Sequence, residues 1–299
     1  MGTRYSAAFY SSAPVDMPRL STALQQAVDR VDNQMSTWKP ESDLCRLNRA
    51  PVGLWQVVPP ELMTVLVAGL DIGKASGGAF DMGVGDAVDA WGFGAAGPSA
   101  DQNKIGGAPS TRRPSTDGLE LDAPNLRVRK TSAVQLDLSG IAKGFGVDQL
   151  AECLERFGIT RYFVSIDGEV RASGLKPGGE PWLVGIEKPD RKMRDVARIQ
   201  ELADLALATS GDYRHFREHD GKWVSHTIDP RTGSPVDNAV TSVSVAAQSC
   251  MMADAWATAL LVLAEVRGPE LAEALQLSAL FMVRDGDGLR EIATGMFRE

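Results

Sequence analysis

Asp254 and Thr258 stand four residues apart in "ADAWATAL", a spacing that puts both side chains on one face of a helix. A carboxylate beside a hydroxyl suits a hard cation such as Mg²⁺, which takes oxygen ligands and keeps water or phosphate for the rest of its shell. The same pair also suits the satisfaction of buried backbone groups. "DLSGIAKGFG", Asp137 to Gly146, offers the complementary chemistry. Gly140 and Gly144 permit close backbone approach, and Lys143 adds a point charge. The helix predicted to follow turns free N–H groups and a positive dipole end toward an anion. The stretch fits neither familiar phosphate-loop pattern, so a glycine-lined packing turn is the alternative. A third group, "SHTIDPRTGSPV", places His226 three residues before Asp229 and ahead of a Pro/Gly turn. Such a pair suits proton transfer near neutral pH, or a histidine that caps the turn.

Two other patterns carry less. "HFREH", His215 to His219, has the H-x-x-E-H spacing of a zinc peptidase class. That chemistry needs one helical turn, whereas the stretch reads as one arm of a hairpin, where residues four apart are separated by roughly 13 Å. "GVGDAV", Gly83 to Val88, begins like a dinucleotide-binding turn but has Val88 where the third glycine belongs and follows no clear strand.

The elements that must position these groups follow from periodicity and punctuation. "RYSAAFYS" reads as a first strand, and "MPRLSTALQQAVDRVDNQMS" has apolar residues at helical spacing. "PPELMTVLVAGLDIGKASGG" is a helix opened by proline and closed by glycine. "LRVRK" and "AVQLDLS" read as strands, then "GVDQLAECLERFG" as a helix. "RYFVSIDGEVRASG" is a hairpin turning at Asp167-Gly168. "PWLVGIEKP", "LALATSGDYRHF" and "VTSVSVAAQS" are further strands, and Asp-Gly turns mark two later hairpins. "MMADAWATALLVLAEV" is apolar enough to be a buried helix. Hairpins outnumber βαβ units, which predicts an α+β fold of antiparallel sheets with packed helices. One domain over residues 1–299 is expected, with a lobe boundary in the Gly/Pro/Ser/Thr-rich stretch 95–118.

Composition narrows the function classes. A net charge of -8 without a basic stripe argues against a nucleic-acid partner. Three widely spaced cysteines make neither a disulfide framework nor a cysteine zinc site. No apolar run is long enough to span a membrane. The N-terminus "MGTRYSAAFY" has no signal core and no lipobox cysteine, so the reading is a cytoplasmic protein or a mature form.

Nine stretches, in order and almost end to end, together resemble the ApbE family of FAD:protein FMN transferases. They are "MGTRYS", "MSTWKPESDLCRLN", "GGAFDMGVGDAVDAWGFG", "DLSGIAKGFGVD", "VSIDGEVRASG", "PWLVGIEKP", "ATSGDYRHF", "SHTIDPRTGSPV" and "ADAWATALLVL". The resemblance implies an ApbE-like, T-fold-related architecture in two lobes. It implies Mg²⁺-dependent cleavage of FAD, with FMN passing to a Thr or Ser hydroxyl of a target protein and AMP released. The alternatives are an FAD pyrophosphatase giving FMN and AMP, and an FAD-binding module without turnover. It further implies a metal held by Gly140 through its carbonyl, Asp254, Ala257 and Thr258. Many relatives have a second aspartate where Ala257 stands, so Ala257 offers only backbone. The flavin nucleotide would meet Met1, Trp38 (often tyrosine in relatives), Ala79, Phe80, Asp81, Asp137, Lys143 (glutamate in some relatives) and Ile228. A base at His226 or Asp229 would take the proton of the incoming hydroxyl. The implied acceptors are domains of membrane redox complexes or nitrous oxide respiration regulators, and the implied location is periplasmic or exported.

Overall fold

A computed structural model describes residues 2–97, 100–101, 105, 113–190, 193–213, 216–219, 222–286 and 288–298. Its centre is a seven-stranded sheet in the order β1-β5-β6-β9-β14-β15-β16. These strands are Tyr5–Tyr10 (β1), Arg161–Ile166 (β5), Glu169–Ser173 (β6), Leu205–Gly211 (β9), Val240–Ala247 (β14), Ser278–Asp285 (β15) and Gly288–Ala293 (β16). Every neighbouring pair is antiparallel, as the hairpin count predicts. Asp167 takes φ 56° at the β5–β6 turn, a left-handed conformation that aspartate tolerates better than most residues.

Side-chain alternation sends the two faces of this sheet into different cores. Tyr162, Val164, Ile166, Ala206, Val243, Val245 and Phe281 face the helices. Phe163, Val170, Ala172, Leu207, Leu280 and Met282 face the opposite way. The helical side carries α1 (Met17–Met35), α6 (Ala142–Arg156) and α7 (Cys250–Ala274), with α2 (Asp43–Arg49) and α3 (Pro60–Ala75) beyond them. Two short helices, α4 (Gly85–Ala90) and α5 (Ser115–Gly118), lie in the connecting segments. On the other face the hairpin β7 (Trp182–Glu187) and β8 (Val196–Leu202) lays Trp182, Ile186 and Leu202 on the sheet. A sheet covered on both sides explains why β14 is almost wholly buried. The helix α7 is broken at Ala264 (φ 64°, ψ −170°), five residues before Pro269, so its site-bearing segment runs from Cys250 to Leu263.

Smaller ladders complete the chain: β2 (Trp55–Val57), β4 (Arg127–Lys130) and β3 (Leu119–Asp122) in that order, β10 (Phe216–His219) with β11 (Lys222–Ser225), and β12 (Ile228–Asp229) with β13 (Ser234–Pro235). The β10–β11 pairing places His219 on a hairpin arm, as read from sequence, while His215 lies outside the described residues. Half of the expected boundary at 95–118 lies outside them too. Among the described residues no helix is long and apolar enough to cross a membrane.

Two expectations need correction. "AVQLDLS" forms no strand, because its backbone groups are taken by other partners. Asn48 bonds both the N–H and the carbonyl of Leu136 (2.8 and 2.9 Å), and the Asp137 N–H donates to the Met82 carbonyl at 2.8 Å. The helix read from Gly146 onward begins four residues earlier, at Ala142. Lys143 and Gly144 therefore lie in its first turn, and packing overrides the poor helix propensity of glycine.

Candidate active site

The starts of α6 and α7 are built against each other. Ile141, at the N-cap of α6, contributes no side-chain cap, which leaves first-turn donors to find partners elsewhere. One finds Asp254: its Oδ2 accepts from the Gly144 N–H at 2.9 Å. The reverse capping comes from Asp148, whose carboxylate accepts from Ser249 Oγ and from the Cys250 and Met251 N–H groups at 2.8–3.0 Å. An acid from each helix thus meets the positive dipole end of the other. Gly144 makes this approach possible, since a Cβ there would lie 2.3 Å from the Cys250 carbonyl oxygen.

One helical turn beyond Asp254, half-buried Thr258 places its Oγ1 3.0 Å from Ser210 Oγ near the end of β9. Gly140 lies over the same hydroxyl: a Cβ there would sit 3.1 Å from Thr258 Oγ1 and 3.4 Å from the Phe80 ring. Gly140, Thr258 and Phe80 therefore meet, with Asp254 one helical turn from Thr258. Ala257 is fully buried and brings no side-chain oxygen. Among the described residues no three His, Cys, Asp or Glu side chains converge as a metal site. The donors are instead one carboxylate, hydroxyls and backbone. An all-oxygen set of this kind fits Mg²⁺, which is commonly bound by one or two carboxylates plus water and phosphate oxygens.

Charge is concentrated beside those oxygens. Lys143 Nζ donates to Glu169 Oε1 at 2.5 Å, and Glu169 is only 2% exposed. Burial works against the Lys143 ammonium, but Glu169 and then Asp254 outweigh it and hold the group more firmly charged than an ordinary lysine. Burial pushes the Asp254 carboxyl up to about 7. Glu169 reinforces that rise, while Lys143 and the Gly144 N–H oppose it.

The remaining predicted residues fall into three places. Ala79, Phe80 and Asp81 are buried beside this centre; Asp81 Oδ1 accepts from the Gly83 and Ser115 N–H groups at 2.7 and 3.0 Å. Asp137 is buried, which raises its carboxyl above the ordinary range despite a bond from the Ser139 N–H. Trp38 stands 66% exposed just after α1, presenting an open aromatic face, and Met1 lies outside the described residues. His226 lies in the connection between β11 and β12, and Ile228 and Asp229 form β12, which leads into the turn before β13. The His226 ring lies edge-on to Phe93, 6.4 Å between centroids, and Ile228 is buried. Asp229 grips Arg231 through both oxygens (2.9 and 2.8 Å) and also accepts the Arg231 N–H. That leaves its carboxylate an anchor for the turn more than a proton acceptor.

The sequence model of the ApbE family matches residues 1–281. The chain belongs to the ApbE family. The FAD:protein FMN transferase of Vibrio cholerae serotype O1 is 39% identical over all of this chain and 90% of its own length. Among solved structures, the flavin transferase ApbE from Vibrio cholerae superposes with a TM-score of 0.88 at 36% identity, covering 100% of this chain and 96% of that one. The apo form of the Pseudomonas stutzeri flavinyl transferase ApbE also gives 0.88, at 34% identity over 99% of this chain and 93% of that one.

Within this ApbE chain, two site residues escaped the sequence reading. Glu169 and Ser210 come from β6 and β9, and only the folded sheet sets them against α6 and α7. The signal for Glu169 was present: a glutamate opening a strand whose alternation turns it inward. A cavity of about 690 Å³ does open between α1, α3 and α6, lined by Arg30, Glu61, Phe145, Gln149 and Arg156 among others. It faces the side of α6 opposite Lys143 and Gly144 by helical spacing, and none of the candidate site residues lines it.

Proposed function

We propose that this chain transfers FMN from FAD to a hydroxyl of a target protein, releasing AMP. The observation that carries the reading is the convergence of Lys143, Gly140, Asp254 and Thr258 at the paired helix starts. That arrangement offers a cation and an oxygen-donor set to a pyrophosphate. Mg²⁺, when bound, supplies charge neutralisation on the pyrophosphate oxygens; Asp254, Thr258 and the Gly140 carbonyl are the groups that would hold it. Lys143 binds phosphate oxygens as a point charge. Exposed Trp38 offers an aromatic face to the isoalloxazine or adenine ring, while buried Phe80 backs Gly140.

In the transfer the acceptor oxygen bonds to the FMN phosphorus, the bridging P–O bond breaks, and AMP leaves with that oxygen. The hydroxyl proton passes to His226, which precedes a turn fixed by Asp229 and Arg231 and by a bond from Trp91 Nε1 to the Gly233 carbonyl at 3.0 Å. The acceptor is a Thr or Ser in an exported domain of a membrane redox complex or a nitrous oxide respiration regulator, which puts the enzyme in the periplasm. The direct test incubates the protein with FAD, Mg²⁺ and such a domain. Flavin fluorescence that stays with the acceptor after denaturation is the expected result. Free FMN and AMP without labelled acceptor would make the protein a pyrophosphatase, and FAD binding without AMP would make it a binding module. His226→Asn is expected to slow transfer while leaving FAD binding intact.

A further inference from the structure

Two ion pairs tie β6 to α6, and they differ in kind. Glu169 and Arg171 project from the same face of the strand, two residues apart. Arg171 Nη1 meets Asp148 at 2.8 Å, and Asp148 is otherwise occupied in capping α7. Both Asp148 oxygens thus have structural work to do. Glu169 is different. Its Oε1 takes the Lys143 ammonium, while its Oε2 is buried with no hydrogen-bond partner among the described residues. A carboxylate oxygen stranded in the interior is costly, and a strand-to-helix clip already exists two residues away.

The geometry around Lys143 explains where that carboxylate acts. Lys143 occupies the first turn of α6, where the helix dipole disfavours a cation. Its side chain remains about a third exposed (33%), whereas that of Glu169 is 2% exposed. A buried anion therefore holds a cation whose side chain stays partly open to solvent. Of the three ammonium donors, Glu169 is the one hydrogen-bond acceptor met among the described residues. The others remain for a ligand.

We propose that Glu169 is the positioning residue for Lys143, fixing the ammonium by one charged hydrogen bond so that its remaining donors face the phosphates of FAD. This rests on the reading of Lys143 as a phosphate ligand. It adds that the ligand is a pair, Lys143 with Glu169, drawn from two elements distant in sequence.

The test is a double-mutant cycle read by FAD binding (flavin fluorescence, no acceptor) and by kcat and KM for AMP release. Glu169→Gln keeps the shape and removes the charge. It is expected to weaken FAD binding and raise KM about tenfold, the order of one charge-assisted hydrogen bond, with kcat moved less. Glu169→Asp, which keeps the charge on a shorter stem, is expected to recover part of the loss, and it carries the test if Glu169→Gln does not fold. In a Lys143→Met background Glu169→Gln should cost nothing further. An unchanged KM in Glu169→Gln, or a loss as large in the Lys143→Met background as in wild type, overturns the proposal; the second result is what a purely structural or metal-site role gives. If wild type binds FAD and Lys143→Met binds it equally well, the phosphate-ligand reading itself fails. If Lys143→Met is weakened and Glu169→Gln is not, only the positioning role fails.

Discussion

The paired helix starts and the β12–β13 turn both carry an aspartate that sequence marks as functional, and the two are held in opposite ways. Asp254 is 3% exposed, bonded to one backbone N–H, and flanked by a lysine and a second buried carboxylate. Asp229 is half-buried and takes three hydrogen bonds from a single arginine two residues along. The first keeps lone pairs for a ligand at the cost of burying charge. The second spends them on a local turn. A carboxylate near a histidine in sequence is therefore a weaker sign of chemistry than a buried carboxylate whose neighbours come from elsewhere in the fold.

The sharpest way to break this comparison is Asp254→Asn. The asparagine preserves size and, through its carbonyl, the bond from Gly144, but removes the charge a cation needs. Transfer is expected to fall at least about a hundredfold, beyond what losing an outer-shell partner costs. The measurement is AMP release from FAD at saturating Mg²⁺. A loss under about fivefold would move the centre of the chemistry elsewhere.

Gly144→Ala tests the scaffold in place of the chemistry. The added Cβ would meet the Cys250 carbonyl at 2.3 Å, a backbone atom that cannot rotate away. Overpacking of this sort costs about 1–3 kcal/mol, offset in part by the better helix propensity of alanine, about 1 kcal/mol. A lower urea midpoint is the expected result. Gly140→Ala meets a side-chain hydroxyl at 3.1 Å instead, so it should disturb activity more than stability.

These positions also show what sequence could and could not convey. Period and punctuation placed α1, α3 and the β5–β6 hairpin, because each is decided by its own residues. "AVQLDLS" alternates like a strand yet is not one, since Asn48, 88 residues before Leu136, claims its backbone. "VARIQEL" (β8) was not read as a strand because its alternation is inverted: Arg198 and Gln200 take the half-buried positions while Ile199 is exposed. In the site, Lys143, Gly140 and Asp254 were legible through the resemblance of their motifs. Glu169 and Ser210 were not, because their roles are created by which strands lie under which helices.

The raised Asp254 carboxyl makes a prediction about pH for the metal-free protein. An ordinary aspartate near 3.8 is already ionised in the unfolded chain at pH 5, whereas the folded group, at about 7, still holds its proton. Between these values the folded state binds more protons, so stability falls as pH rises through the window from about 4 to 7. Unfolding midpoints at pH 5 and pH 8 should therefore converge in Asp254→Asn relative to wild type. A wild-type difference that persists unchanged in the variant would assign it to another group.

The smallest effect belongs to the turn. Asp229→Asn breaks a bidentate pair in which the Arg231 side chain is 40% exposed, so solvent screens much of its strength and the expected cost is about 0.5–1 kcal/mol. The loss should appear as a modestly lower melting midpoint, with AMP release reduced about threefold or less, since His226 precedes β12 and lies outside the Asp229–Arg231 contact. Arg231→Gln should cost slightly more, because it also removes the Nη2 bond to the Val262 carbonyl at 3.3 Å, and the double variant should add little to it. If Asp229→Asn instead matches the loss in Asp254→Asn at unchanged stability, Asp229 takes the proton itself. The contrast between a buried ligand and a surface anchor would then be wrong at its second term.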